Sequence, residues 1–337
     1  MVIALFVGYK LYALVAINAL VGLGLLVFKF WYVFRKCPVK IRLSFFNMNL
    51  LKQVLAYSVW VTVIGIAQRM LINIVPVLLG IFSGTKEIAI FSIGMTIEAY
   101  TWMFAVALGG LFMPKVSRMV AKENREDIIK LMIKVGRIQL MIVGIIVIGF
   151  ITLGQQFLTL WIGNEFNRSY WVVLLLMIPG IVTFTQEIGY TLLYVENKIK
   201  YWGILLLSAS LLTCFISILL SPRYGAIGSA IGISAAYVLC HGVGMNIVFS
   251  RILKIDIGRY FYECHFKYMF PFLITLGIGF CLKLIFSTGN VIVFIEKALV
   301  LSIVYVVLMW IMALNVSEKR MIKTLASKLS MGKIAIK

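Results

Sequence analysis

The sequence predicts an all-α polytopic membrane protein with about nine transmembrane helices. Of its 337 residues, 62% are hydrophobic and only 13% are charged, and its mean hydropathy is +1.04. Soluble domains contain about 45–50% apolar and about 25% charged residues, so this chain has too few charges to cover a surface that faces water. Membrane-spanning strands would alternate apolar and polar residues, whereas the apolar runs here are continuous over about 20 residues.

Nine apolar segments are long enough to cross about 30 Å of hydrocarbon. They run from Leu11 to Phe34, Val54 to Phe82, Ile88 to Met113, Ile138 to Leu153, Tyr170 to Tyr194, Trp202 to Leu220, Gly225 to Ser250, Tyr268 to Phe286 and Val291 to Leu314. The most charged stretch, from Pro114 to Gly136, has apolar residues with helical spacing. We predict that it is an amphipathic helix at the membrane interface, leading into the fourth segment.

Basic residues are distributed very unevenly between the loops. Alternate loops and the C-terminal tail contain 24 Lys and Arg on one side of the membrane, and the opposite side contains four. Because Lys and Arg accumulate in cytoplasmic loops, we expect an inner (cytoplasmic-type) membrane protein with its N-terminus outside and its C-terminus in the cytoplasm. The net charge of +20 is therefore a topology signal, and nucleic-acid binding is disfavoured.

No catalytic motif occurs in the sequence. It has no P-loop, no HExxH motif, no nucleophile elbow and no kinase motif set. We therefore expect a protein that is not an enzyme, with no catalytic residues, no cofactor and no metal. The two histidines, His241 and His265, are interpreted as packed or hydrogen-bonding residues.

Polar residues at membrane depth are the candidates for function. One face of the second segment contains Ser58, Thr62, Gly65, Arg69 and Asn73, with Gln68 beside it, and one face of the third contains Gly94, Glu98, Thr101, Ala105 and Gly109. A charge at the membrane centre costs several kcal/mol unless it is paired or hydrated. Two interpretations stay open: an Arg69–Glu98 ion pair that joins the two helices, and a hydrated cavity that receives a charged group of a substrate.

The fifth segment adds Gln186 and Glu187, about 12 Å from its inner end. Pro179 can kink this helix and free backbone carbonyls. Glu187 is either a cavity residue or a charge near the inner interface. The predicted substrate-binding residues are therefore Arg69, Glu98, Asn73, Gln68, Glu187 and Gln186.

Several short runs resemble one family of transporters. The strongest is Pro222 to Gly232, which is similar to the P-x-Y-G-x-x-G-A-A run between two late helices of that family. Ala89 to Ser92, Leu111 to Arg118 and Leu160 to Phe166 support it. In this order and spacing they resemble the polysaccharide flippases of the multidrug/oligosaccharidyl-lipid/polysaccharide exporter superfamily, in particular O-antigen (Wzx-type) translocases.

The resemblance implies a function and a division of the chain. It implies translocation of undecaprenyl-diphosphate-linked oligosaccharides across the inner membrane for O-antigen, lipopolysaccharide or capsule synthesis, by alternating access between two lobes. Membrane lipid, a polysaccharide polymerase and a chain-length regulator are the implied partners. Residues 1–34 would be the last helix of an otherwise missing N-terminal lobe, 35–53 a basic linker, 54–250 a six-helix C-terminal lobe, 251–314 an extra helix pair and 315–337 a cytoplasmic tail.

Three alternatives to this function stay open. A cation-coupled multidrug exporter would favour carboxylates over Arg69 in its cavity. A membrane-bound polysaccharide polymerase or glycosyltransferase would normally have a large outer loop with clustered Arg, Asp or His, and none occurs in the sequence. A purely structural membrane subunit is the third.

The charge asymmetry makes a direct prediction of topology. A reporter that is active only in the periplasm should be active when fused after Gly163 and silent when fused after Asn124, because these loops lie on opposite sides of the predicted membrane. The enzymatic activity of both fusions in intact cells is the measurement. The reverse pattern, or activity of both fusions, would contradict the predicted orientation.

Overall fold

The computed structural model describes residues 11–36, 47–106, 112–285, 290–315 and 318–320. In these ranges the regular elements are helices, and no strand occurs among them. Seven of the helices are long and apolar enough to cross a membrane, and a bent pair makes an eighth candidate within the described residues. The predicted all-α, polytopic membrane fold is confirmed.

Eleven helices form the described part of the chain. They are α1 (Leu11–Lys36), α2 (Met48–Phe82), α3 (Thr85–Val106), α4 (Met113–Ala121), α5 (Arg125–Ile162), α6 (Ser169–Phe184), α7 (Glu187–Val195), α8 (Ile199–Tyr224), α9 (Ala226–Arg251), α10 (Ile257–Ile285) and α11 (Val291–Ala313). The chain divides into two compact units, Met1–Leu55 and Ala56–Lys337. In the first unit α1 coincides with the first apolar segment, and α2 begins at Met48, six residues before the segment predicted from Val54.

The charged stretch after α3 differs from its prediction. The short amphipathic helix α4 is followed by α5, which continues without a break from Arg125 through the whole fourth apolar segment. The apolar side chains that suggested an interfacial helix are buried in the largest core cluster: Ile128, Ile129, Met132 and Ile133. The prediction of an interfacial segment is wrong over Arg125 to Gly136, because this apolar face packs on neighbouring helices rather than on lipid.

The turn between α8 and α9 explains why glycine follows the Pro-Arg-Tyr run. Gly225 has φ of +59°, a conformation that side chains disfavour, and a Cβ there would lie 2.3 Å from the Glu87 carboxylate. Oε2 of Glu87 accepts a hydrogen bond from the backbone N–H of Ala226 at 2.8 Å, at the first turn of α9. Arg168 pairs with the same carboxylate. Glycine is therefore required for α3 to approach and cap α9.

A second ion-pair cluster fixes the start of α5 to the turn between α7 and α8. The carboxylate of Glu196 pairs with Arg125 and, at 2.8 Å, with Lys198, whose ammonium also donates to the carbonyl of Ile252. Burial raises the pKa of Glu196, but the hydrogen bonds from Arg125 and Lys198 outweigh this effect, and the pKa lies below its ordinary value. The carboxylate is therefore ionised at neutral pH and holds both cations.

Arg137 joins three helices and the start of the C-terminal segment. Its side chain is only 2% exposed, and it donates to the Tyr268 hydroxyl of α10 at 3.0 Å and to the carbonyl of Ala313 of α11 at 2.6 Å. It also pairs with Glu318 at 3.0 Å. The Glu318 carboxylate also accepts from the backbone N–H of Asn315. One guanidinium thus satisfies acceptors from three parts of the chain.

We predict that Arg137→Ala destabilises the protein strongly. Removing one partner of a buried ion pair leaves the other without compensation and costs about 3–5 kcal/mol. Thermal unfolding of the purified protein in detergent is the measurement, with exposed Arg251→Ala as the control. Equal unfolding temperatures for Arg137→Ala and the wild type would contradict the prediction.

Candidate functional site

The polar face of α2 is exposed along the middle of the helix. The side chains of Gln68, Arg69 and Asn73 are all exposed, whereas the opposite face buries Ile64, Ala67, Val75, Leu78 and Leu79. The buried face packs on α8 through Trp60 and Ile64, at the position where Gly203 leaves room. Packing thus directs an arginine, an amide and a second amide outward from the membrane-spanning part of this helix. We call these three residues the α2 polar face.

The polar face of α3, unlike that of α2, is buried. Of the five residues that share this face, Gly94, Glu98, Thr101 and Ala105 are buried, and Gly109 lies outside the described residues. A Cβ at Gly94 would lie 2.4 Å from a methyl group of Val172, so the small residue permits close packing of α3 on α6. The stripe therefore faces the interior of the helix bundle.

The two predicted charges are consequently not partners. Arg69 is exposed and Glu98 is 6% exposed, and among the described residues no ion pair joins them. The Glu98 carboxylate instead accepts a hydrogen bond from the hydroxyl of Tyr237 at 3.3 Å. The interpretation of Arg69 and Glu98 as an ion pair between adjacent helices is not supported, because the two stripes point in different directions.

A chain of buried and half-buried polar groups begins at Glu98. Tyr237 contacts His241, one turn later on α9, with ring centroids 5.7 Å apart. Nδ1 of His241 is 2.9 Å from the hydroxyl of Tyr190 on α7. Tyr190 lies one turn after Gln186, whose amide donates at 2.7 Å to Asn246 of α9. We call Glu98, Tyr237, His241, Tyr190, Gln186 and Asn246 the buried polar network.

Both helices that carry most of this network depart from regular α-helix. Residues Tyr237–Met245 of α9 form a π-helical stretch. This conformation is rare in proteins, and where it occurs it often lies at a functional site. The side-chain amide of Asn246 donates to the carbonyl of Gly242 in this stretch. The wider helical turn therefore brings Tyr237, His241 and Asn246 toward α3 and α7.

The second irregularity is the break between α6 and α7, which are bent by 53°. The break lies at Thr185, six residues after Pro179, the residue predicted to kink this span. The carbonyl of Thr185 accepts a hydrogen bond from the Tyr260 hydroxyl at 2.6 Å. The side-chain hydroxyl of Thr185 is 3.2 Å from Nε2 of His265. A Cβ at Gly136 would lie 2.8 Å from that carbonyl, so glycine lets α5 reach the break. These contacts satisfy the backbone that the bend frees.

The predicted site therefore falls into two groups. Glu98 and Gln186 belong to the buried polar network, and half-buried Glu187 starts α7 beside them, whereas the α2 polar face is exposed. The sequence interpretation missed Tyr190, Tyr237 and Asn246. The spacing of four between Tyr237 and His241 was the available signal, because it places both on one helix face. Both histidines are hydrogen-bonded, as predicted.

These side chains are able to form ion pairs and hydrogen bonds. Within the described residues no cluster of three or more His, Cys, Asp or Glu could hold a metal ion. The guanidinium of Arg69 offers several N–H donors in a fixed plane, suited to carboxylate or phosphate. The buried polar network consists of hydrogen-bonding groups within the membrane-spanning helices.

A family model described as "Polysaccharide biosynthesis protein" matches residues 1–170, half of the chain. The chain belongs to this family. The match confirms the resemblance to polysaccharide exporters that the short runs indicated. A search of the curated proteins found no match.

A solved structure has a similar fold. It is the lipid II flippase MurJ in an inward closed conformation, with a TM-score of 0.58 and 16% sequence identity. The similarity covers 74% of this chain and 51% of that flippase, so this member of the polysaccharide biosynthesis family spans about half of the flippase's length. At this identity the comparison establishes the fold.

We predict that Tyr190→Phe destabilises this protein by about 1–3 kcal/mol, because it leaves a buried ring nitrogen of His241 without its partner. Thermal unfolding in detergent is the measurement, and Tyr100→Phe, at an exposed tyrosine, is the control. In a double-mutant cycle with His241→Phe, the two effects should be less than additive. Strict additivity would contradict a Tyr190–His241 hydrogen bond.

Proposed function

We propose that this protein takes part in flipping lipid-linked oligosaccharides across the bacterial inner membrane. The observation that carries the proposal is the match to the polysaccharide biosynthesis family over residues 1–170. A fold similar to that of a lipid II flippase supports it, because that protein's name describes a lipid-linked precursor as its substrate. The finer proposal is that the substrate is an undecaprenyl-diphosphate-linked repeat unit for O-antigen or capsule. In this function the protein is a transporter and performs no covalent chemistry.

The α2 polar face is the proposed contact for the substrate. Arg69 is exposed near the middle of a 35-residue helix, with Gln68 beside it and Asn73 one turn further. An uncompensated cation at membrane depth is costly unless it meets water or an anion, so an arginine retained there fits a hydrated path for an anionic group. A diphosphate offers acceptors that a guanidinium can bind in bidentate fashion.

Glu98, Gln186 and Glu187 are proposed to act at a later stage of transport. Glu98 and Gln186 are buried behind the helices, and a sugar could reach them only if α9 or the bend between α6 and α7 rearranged. The regular α-helical hydrogen bonds are already interrupted in a π-helical stretch and at a helix break. A helix can therefore move there with the smallest loss of such bonds. The buried polar network would then present hydroxyl and amide groups to a sugar.

The division of the chain follows the same proposal. Residues 54–250 would form a transporter lobe, residues 251–314 an accessory helix pair, and residues 315–337 a tail at the cytoplasmic face. A polysaccharide polymerase and a chain-length regulator are the proposed protein partners. A multidrug exporter is the weaker candidate, because an exposed arginine would repel cationic drugs.

We predict that Arg69→Ala abolishes surface polysaccharide when it replaces the wild-type chain in its own strain, without reducing the amount of protein in the membrane. Lipid-linked repeat units should accumulate inside the cell. Arg69→Lys should restore part of the activity, since it keeps the charge but loses the bidentate donors. Surface polysaccharide and membrane protein are measured by immunoblotting.

Arg223→Ala is the matched control, because Arg223 is an exposed arginine at the end of α8. It should leave surface polysaccharide unchanged. Normal polysaccharide in Arg69→Ala would rule out a substrate role for Arg69. Loss of the Arg69→Ala protein from the membrane would instead assign Arg69 a structural role.

A further inference from the structure

A cavity of about 210 Å³ lies at the end of α5 that the charge distribution assigns to the cytoplasmic side. It is lined by Lys130, Ile133, Lys134, Arg137, Glu263, Asn315 and Glu318. The α5 residues among them have spacings of three, one and three, so they form one helix face. This cavity shares no residue with the α2 polar face or the buried polar network.

The two carboxylates in the lining already have cationic partners. Glu318 pairs with buried Arg137 at 3.0 Å, and Glu263 accepts from Nε of Arg259 at 2.8 Å. Arg137 is in turn fully occupied by Glu318, the Tyr268 hydroxyl and a backbone carbonyl. Each carboxylate of the lining is thus paired with an arginine, and Arg259 also pairs with Glu126 at 2.9 Å.

The two lysines of the lining have no ion pair with a carboxylate of the lining. Lys130 and Lys134 are exposed and lie one turn apart. Lys130 is 3.4 Å from Glu126, but both side chains are more than half exposed, and ion pairs of this kind contribute little. No ion pair of the described residues involves Lys134. The lining has three cations and two carboxylates and is therefore positively charged, with its two lysines exposed.

We propose that this cavity binds the phosphate group of a membrane lipid. Lysine clusters beside membrane-spanning helices on the cytoplasmic side attract anionic headgroups, and a pocket there gives the phosphate a defined position. The Asn315 side chain can add a hydrogen bond, and Ile133 provides an apolar wall. The phosphate can come from an anionic phospholipid of the bilayer or from a polyprenyl diphosphate, and only the second source rests on the function proposed above.

Native mass spectrometry of the purified full chain tests the proposal. Bound lipid is counted while phosphatidylglycerol, zwitterionic phosphatidylethanolamine or undecaprenyl diphosphate is added in separate titrations. The double variant Lys130→Gln/Lys134→Gln should bind the anionic lipid about 20- to 30-fold more weakly, because each lysine near an anionic surface contributes a factor of about five. Loss for phosphatidylglycerol identifies the bilayer as a source, and loss for undecaprenyl diphosphate alone identifies the polyprenyl lipid.

Two further variants keep the result interpretable. Lys130→Arg/Lys134→Arg retains the charge and should retain binding. Lys115→Gln/Lys122→Gln removes the same charge from exposed positions of the same predicted side, outside the cavity, and should bind as the wild type does. Equal binding by the cavity double variant and the wild type, or equal loss in the Lys115/Lys122 control, would overturn the proposal. Because binding is measured without transport, a failed flippase assay leaves the phospholipid result unaffected.

Discussion

The buried guanidinium of Arg137 is the interaction on which the arrangement of the last helices depends. Its donors reach α10, α11 and Glu318 at once, and a charge in that position is tolerable only when all of these partners are present. The consequence is mutual dependence. The end of α11 and Glu318 are positioned by a residue of α5, so α10 and α11 are fixed to α5 by a polar contact as well as by apolar packing.

Polar contacts have the same role elsewhere in a protein whose exterior is apolar. Apolar side chains gain little by leaving lipid for a lipid-like interior, so hydrogen bonds and close approach at small residues decide which helix faces meet. Glu87 caps α9 across Gly225, the hydroxyl of Tyr260 satisfies the break at Thr185, and Gly136 leaves room beside it. In a soluble protein hydrophobic burial would drive much of this assembly.

The same principle separates the two polar groups of the candidate site. The α2 polar face is directed outward, where a charged group needs an anion or water, whereas side chains of the buried polar network hydrogen-bond to one another and Oε1 of Gln186 has no partner. The lipid II flippase has a similar fold, at 16% identity.

The sequence by itself determined the membrane-spanning class, the positions of most helices and the family, because each depends on local apolar length or on short motifs. Only the tertiary structure decided which way a polar stripe faces: the stripes of α2 and α3 look alike in sequence, yet Arg69 is exposed and Glu98 is buried against Tyr237. It also decided that Lys297, near the start of the last apolar segment, is buried and donates to Gln156. Periodicity identifies a face, but the neighbouring helix that covers it comes from distant parts of the chain.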